Sequence, residues 1–171
     1  MGIINWITLQ IKGKPSAPPP APQHKDVVEL FDFNKVYKNK SFILKLRDLT
    51  LHDYSGMNHE LNALTDLVKT RKVNAKIITA TRGGVIVGWA LLSKENSNFR
   101  FGLSDFDAKR DGALFEIYVH PKHRRTGVGS LLIKKARRHA GSAKLSIAPH
   151  DTAGNNFYKK HQSYKQNRLS Y

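Results

Sequence analysis

The chain contains no cysteine among its 171 residues. Disulfide bonds, thiolate metal sites and catalysis by a thiol nucleophile are therefore excluded. Long apolar runs are also absent, because a run such as residues 86 to 92 falls far short of the roughly eighteen residues that a bilayer-crossing helix needs. Residues 2 to 9 are partly apolar but lack the basic leader of a secretory signal. We therefore expect a soluble cytoplasmic protein without a membrane partner.

Acidic residues are scarce: 13 Asp and Glu stand against 29 Lys and Arg, which gives a formal net charge of +16. The excess is concentrated in residues 120 to 171, which hold twelve basic residues and a single acid, Asp151. A surface of this kind attracts a phosphate-rich cofactor, a nucleic acid or an acidic protein, and charge alone does not choose among them.

Proline is rare outside one stretch, since five of the seven prolines lie between Pro15 and Pro22. Proline-rich sequence favours an extended polyproline II path, so residues 12–25 are predicted to be a stiff linker. The linker separates a short apolar segment, residues 1–11, from a single folded domain, residues 26–171. The short segment is either a docking peptide for another chain or a frayed tail.

The hydrophobic pattern of the domain predicts an α/β fold. Alternating apolar residues predict a first strand from Ser41, and apolar residues at helical spacing predict a helix over 58–72. The glycines of Arg82-Gly83-Gly84 predict a tight turn between antiparallel strands at 76–81 and 85–93. Further strands are predicted at 114–119, 144–148 and near the C-terminus, further helices at 127–140 and 152–160, and a loop at 94–111.

The segment LFEIYVHPKHRRTGVGSLLIKKARRHA, residues 114–140, is the most informative part of the sequence. A predicted strand runs into a basic turn, and a predicted helix begins at the glycines of that turn. Glycine lets the backbone approach a ligand closely, and the exposed amides of a helix start favour an anion. Arg124 and Arg125 add cationic donors that suit phosphate oxygens. The segment therefore predicts a phosphate-binding turn.

Two common phosphate-binding motifs do not fit this turn. Leu132 stands where a dinucleotide-binding motif needs its third glycine, and no Gly-Lys-Ser or Gly-Lys-Thr follows to make a P-loop.

The run Arg124-Arg125-Thr126-Gly127-Val128-Gly129 resembles the Arg/Gln-x-x-Gly-x-Gly/Ala motif of the GNAT family of N-acetyltransferases. The preceding Val119-His120-Pro121 and the following Leu131-Leu132 are also similar to that family, and the resemblance extends over about residues 41–164. It implies a mixed, mostly antiparallel twisted sheet flanked by helices, with an extended N-terminal tail. It also implies that acetyl-coenzyme A (acetyl-CoA) is the cofactor and that an amine of a small molecule or protein is the acceptor.

The resemblance assigns the cofactor to two stretches of this sequence. A strand edge for the pantetheine arm consists of Ile117, Tyr118 and Val119, and a turn for the pyrophosphate consists of Arg124, Arg125, Thr126, Gly127, Val128, Gly129 and Ser130.

The same resemblance implies two catalytic residues. Glu116 is the candidate base for the attacking amine, and Tyr158 is the candidate acid for the departing thiolate. A backbone N–H near Val119 is the candidate oxyanion donor. The alternatives are an ordinary strand carboxylate paired with a basic residue and an ordinary core tyrosine. The block around Tyr158 departs from the family pattern at Asp151, Gly154 and Gln162-Ser163.

Three interpretations of function follow. The first is acetyl transfer from acetyl-CoA to an amine. The second is a component of a larger assembly, such as a phage particle or virion, that docks through residues 1–25. The third, less favoured, is nucleic-acid binding or modification, because the basic C-terminal third carries no reader helix or stacking motif. The histidines show no recognised metal-ligand spacing, so no metal is expected.

Overall fold

The computed structural model describes residues 25–50, 55–95, 113–141, 145–147, 152–161 and 164–166. The predictions for the N-terminal segment, for the linker up to residue 24 and for the loop from residue 96 onward lie outside these residues.

The described chain contains six strands and five helices. The strands are β1 (Val27–Asp32), β2 (Ala75–Arg82), β3 (Val85–Ser93), β4 (Ala113–Val119), β5 (Leu145–Ile147) and β6 (Tyr164–Gln166). The helices are α1 (Phe33–Val36), α2 (Lys40–Thr50), α3 (Ser55–Thr70), α4 (Val128–Ala140) and α5 (Thr152–Lys160), and a 3-10 turn spans Pro121–His123. None of these helices has the length and apolar character that a membrane crossing needs.

The six strands form one sheet in chain order. β1 to β4 pair antiparallel, whereas β5 runs parallel to β4 and β6 runs parallel to β5. Gly83 and Gly84 in the β2–β3 turn have φ values of 58° and 79°, which glycine adopts without strain. The predicted hairpin and the predicted mixed, mostly antiparallel sheet are thus confirmed.

The sheet carries a separate apolar cluster on each face. On one face, Trp89, Leu91 and Tyr118 pack with buried residues of α2 and α3. On the other face, Ala90, Phe115 and their neighbours pack with α4 and with Tyr158 of α5. Because successive side chains of a strand point to opposite faces, β3 and β4 contribute to both clusters.

The predicted strand at Ser41 is wrong, because residues 40–50 form helix α2. In the helix, Ile43, Leu46 and Thr50 share the buried face, while Leu44 is 52% exposed. The alternation of Phe42, Leu44 and Leu46 is therefore accidental. The first strand is instead β1, whose pairing with β2 the sequence pattern did not reveal.

Helix α4 approaches the sheet closely at Gly88 of β3. A Cβ atom on this glycine would lie 2.9 Å from the Tyr118 carbonyl oxygen and 3.2 Å from Cγ1 of Val128. These distances are too short for any other residue. The missing side chain therefore lets the first turn of α4 rest directly on β3 and β4.

Asn39 caps the start of α2 and provides a test of the helix. Its side-chain oxygen accepts a hydrogen bond of 3.0 Å from the Phe42 amide, and its carbonyl accepts one of 3.0 Å from the Ile43 amide. Asn39→Ala should therefore lower the free energy of unfolding by about 0.5–2 kcal/mol, whereas Asn39→Ser should retain most of it. Urea denaturation of the two variants checks this. Equal stability of Asn39→Ala and the unchanged protein would contradict the cap.

Candidate active site

At the end of β4, some backbone N–H and C=O groups point away from β3. The His120 amide donates to the Val87 carbonyl at 3.0 Å, and Val119 is opposite Gly88 in the register. Hydrogen bonds alternate along an antiparallel pair, so the backbone groups of Ile117 and Val119 point toward the β5 side, while those of Tyr118 face β3. Among the described residues, β5 pairs only with Ala113 and Leu114 of β4.

The turn after β4 is held by its own hydrogen bonds. The His123 amide donates to the His120 carbonyl at 2.8 Å, and the Thr126 hydroxyl donates to the His123 carbonyl at 2.7 Å. Nε of Arg124 donates to the Val119 carbonyl at 2.9 Å, and its guanidinium lies 5.7 Å from the centre of the Tyr118 ring. Arg124 therefore ties the turn back to the end of β4.

Two residues of this turn have a left-handed backbone. Gly127 has a φ of 91°, which suits glycine, but Arg125 has a φ of 63°, which is unfavourable for a residue with a side chain. A non-glycine residue in this region costs on the order of 1–3 kcal/mol and is typical of ligand-binding sites. The strained backbone therefore marks the turn as a candidate site.

Helix α4 begins without a side-chain cap at Gly127. Its first intrahelical bond runs from the Leu131 amide to the Gly127 carbonyl, 3.1 Å. The helix geometry therefore leaves the amides of Val128, Gly129 and Ser130 without an intrahelical acceptor. These amides, together with the helix dipole, form an arrangement that fits an anion.

An ion pair from the far edge of the sheet supports the turn. Arg82 of β2 donates from Nε and Nη2 to the two carboxylate oxygens of Asp26, at 2.6 and 2.8 Å. The same Nη2 donates to the Thr126 hydroxyl at 3.2 Å. The hydrogen bonds from Arg82 hold the pKa of Asp26 below its usual value, so the carboxylate is charged at neutral pH. No local sequence pattern indicates this support, because Asp26, Arg82 and Thr126 are far apart along the chain.

Helix α5 supports the first turn of α4 from the other side. A Cβ atom on Gly129 would lie 3.0 Å from Cε2 of Phe157, so the glycine makes room for that ring. The Ser130 hydroxyl and Nε2 of His161 are 3.1 Å apart, and Arg137 donates to the His161 carbonyl. Burial lowers the pKa of His161, and the nearby charges of Arg137 and Lys160 lower it further. The imidazole that supports the turn is therefore neutral at neutral pH.

The two candidate catalytic residues lie on opposite faces of the sheet. Glu116 is 8% exposed and, two residues before Tyr118, shares the face that packs against α2 and α3. Tyr158 is 5% exposed and belongs to the cluster with α4, where its ring centre is 5.3 Å from that of Phe157. The backbone edge of Ile117 and Val119 lies between the two faces.

An open cavity of about 940 Å³ lies between α2 and the end of β4. Its apolar lining includes Phe42, Leu49 and Tyr118, and its polar lining includes Lys45 and His120. The cavity opens on the face of β4 that carries Glu116. Sequence reasoning missed it, because the segment that forms one wall was predicted to be a strand.

The sequence prediction that no metal binds was based on the histidines of the whole chain. Within the described ranges, no three His, Asp or Glu side chains lie close enough together to hold a metal ion.

Comparison with protein families gives a match between residues 43–164 and the model of the acetyltransferase (GNAT) family. The chain belongs to the acetyltransferase (GNAT) family. It is therefore an N-acetyltransferase that uses acetyl-CoA and acts on an amine. The uncapped start of α4 and the glycines of the turn fit the pyrophosphate of that molecule, as the sequence resemblance implies. No curated protein matches the chain.

Several solved acetyltransferases share the fold. Aminoglycoside N-acetyltransferase AAC(6')-Iy in complex with CoA is 16% identical, with a TM-score of 0.54 over 85% of this chain and 96% of that one. An aminoglycoside acetyltransferase from an uncultured soil metagenomic sample, in complex with sisomicin, is 13% identical, with a TM-score of 0.55 over 85% and 93%.

An N-acetyltransferase from Staphylococcus aureus Mu50 is also 13% identical, with a TM-score of 0.53 over 80% and 82%. At these identities the likeness concerns the fold.

The contact between Gly129 and Phe157 is open to a direct test. In a helix, Gly→Ala ordinarily stabilises by roughly 0.5–1 kcal/mol. Here the added methyl group would press on the Phe157 ring, so Gly129→Ala should instead destabilise by about 1–3 kcal/mol. Adding Phe157→Leu should recover part of this loss. Thermal unfolding of the single and double variants checks both effects, and a higher Tm for Gly129→Ala alone would show that the two helices do not meet here.

Proposed function

We propose that the chain transfers the acetyl group of acetyl-CoA to a primary amine by direct attack of the amine on the thioester. The observation that carries the cofactor site is the uncapped start of α4, whose amides of Val128, Gly129 and Ser130 have no intrahelical acceptor. These amides hold the pyrophosphate, and acetyl-CoA supplies the acetyl group.

Some of the remaining predicted cofactor residues would contact acetyl-CoA directly, and others hold the turn in its shape. Arg125 is exposed, so its guanidinium is available to phosphate oxygens. Arg124 and Thr126 are bonded to Val119 and His123, so they shape the turn. The outward backbone groups of Ile117 would hold the pantetheine arm as an added strand does, next to Val119 at the end of the edge, while Tyr118 contributes its ring to the cavity wall.

The two faces of β4 separate the base from the acid. Glu116 lies on the face with the cavity, so we infer that the amine arrives from that side and gives its proton to this carboxylate. Tyr158 lies on the opposite face and donates a proton to the thiolate that leaves. The Val119 amide, which faces away from β3, would donate a hydrogen bond to the thioester oxygen and stabilise the negative charge that develops there.

Titration with acetyl-CoA tests the cofactor site. Arg125→Glu should weaken binding by about tenfold or more, since a hydrogen bond to a charged group is worth about 1.5–3 kcal/mol. Lys72→Glu is the matched control, because Lys72 is exposed beside α3 on the other face and the change in net charge is the same. Isothermal titration calorimetry measures both. If acetyl-CoA affinity fell equally in the two variants, net charge would explain the loss, and the proposal that this turn binds the cofactor would be wrong.

Amine acetylation tests the catalytic residues. Glu116→Gln and Tyr158→Phe should each lower kcat/KM by roughly 10²–10⁴-fold, the usual effect of losing a general base or acid. Both replacements preserve shape, so acetyl-CoA affinity should stay unchanged. The assay measures free CoA thiol released with a panel of primary amines. Wild-type rates in both variants would refute these roles and leave the cofactor site intact.

A further inference from the structure

The exposed surface of α4 and α5 is cationic well beyond the cofactor turn. Lys134 and Arg138 are exposed on α4, and Lys159 and Lys160 are exposed in the last turn of α5. Neither helix contains an acidic residue. We call these four side chains the basic face.

The two helices that carry the basic face, α4 and α5, are packed against each other. Lys134 and Arg138 are one helical turn apart, so they point the same way, about 6 Å from each other along the axis. Phe157 packs on Gly129, and His161 is bonded to Ser130 and Arg137, so α5 is fixed beside α4. The cations of both helices therefore form a single surface.

This surface is separate from the pyrophosphate site. Lys134 and Arg138 are seven and eleven residues beyond Gly127, which places them about 10 and 16 Å along the helix at 1.5 Å per residue. An anion bound at the amides of the first turn does not reach Arg138, so the pyrophosphate leaves this positive charge uncompensated.

The opposite face of the sheet shows a different charge pattern. There Lys69 is paired with Asp66, and Arg71 is paired with Glu95, each at 2.7 Å. These two cations are accompanied by acids, whereas the sequences of α4 and α5 contain none.

The amino-acid composition of the basic face indicates which class of partner it binds. Leu131, 38% exposed, is the single large apolar side chain exposed on the described part of α4 and α5. A membrane-binding helix inserts an apolar face, and a protein interface has an apolar centre with few lysines. Protein surfaces that bind nucleic acid are instead polar and strongly cationic. We propose that the basic face binds the phosphate backbone of a nucleic acid without reading its sequence.

The salt dependence of DNA binding tests the proposal. The probe is a short fluorescein-labelled DNA duplex of arbitrary sequence, titrated with the full chain and followed by fluorescence anisotropy over a range of salt concentrations. Each cation that contacts a phosphate adds about one unit to the slope of log K against log salt. Lys134→Gln/Arg138→Gln should therefore flatten the slope by about two units. Saturating CoA should leave binding of the duplex in place.

The control variant is Lys35→Gln/Lys72→Gln, two exposed lysines on the opposite face that remove the same total charge. Its slope should equal that of the unchanged protein, and acetyl-CoA affinity should be unchanged in both double variants, which also shows that they are folded. Equal flattening in the two variants, displacement of the duplex by CoA, or tighter binding to vesicles of anionic phospholipid at the same salt would each overturn the proposal.

Discussion

The close approach of α4 to the sheet is the constraint on which the site depends. Because Gly88 has no side chain, Val128 and Leu132 of α4 rest directly on β3 near the Tyr118 carbonyl. That contact places the start of α4 at the end of β4. The turn between them is consequently short, and the backbones of Arg125 and Gly127 in it adopt the left-handed conformation. The strain at Arg125 is tolerated because supports on both sides fix the turn.

Strand β4 contributes side chains to both faces of the sheet and has an open backbone edge at its end. Its alternate side chains enter the two apolar clusters, so Glu116 and Tyr118 belong to one side and Phe115 to the other. The edge beyond Leu114 has no partner strand among the described residues. A ligand bound along that edge would lie between the Glu116 side chain on the α2 face and the Tyr158 side chain on the α4 face.

The sequence predicted the parts of the fold in which one local signal dominates. The paired glycines of the β2–β3 turn and the apolar stripe of α4 left few alternatives, and α5 lies where its pattern predicted. The strand at Ser41 failed because residues 42, 44 and 46 are apolar at alternate positions, which is typical of a strand. Asn39 was the contrary signal, since an Asn just before an apolar-periodic run is typical of a helix start.

The sequence by itself predicted the cofactor turn, because its glycines and arginines are contiguous and their spacing matches the family motif. Only the tertiary structure decided what supports that turn and where the chemistry meets it. The Arg82–Asp26 pair, the Phe157 ring against Gly129 and the cavity beside α2 each join residues distant in the chain. Such contacts leave no local pattern, because they depend on strand register and helix packing, which a single sequence does not display.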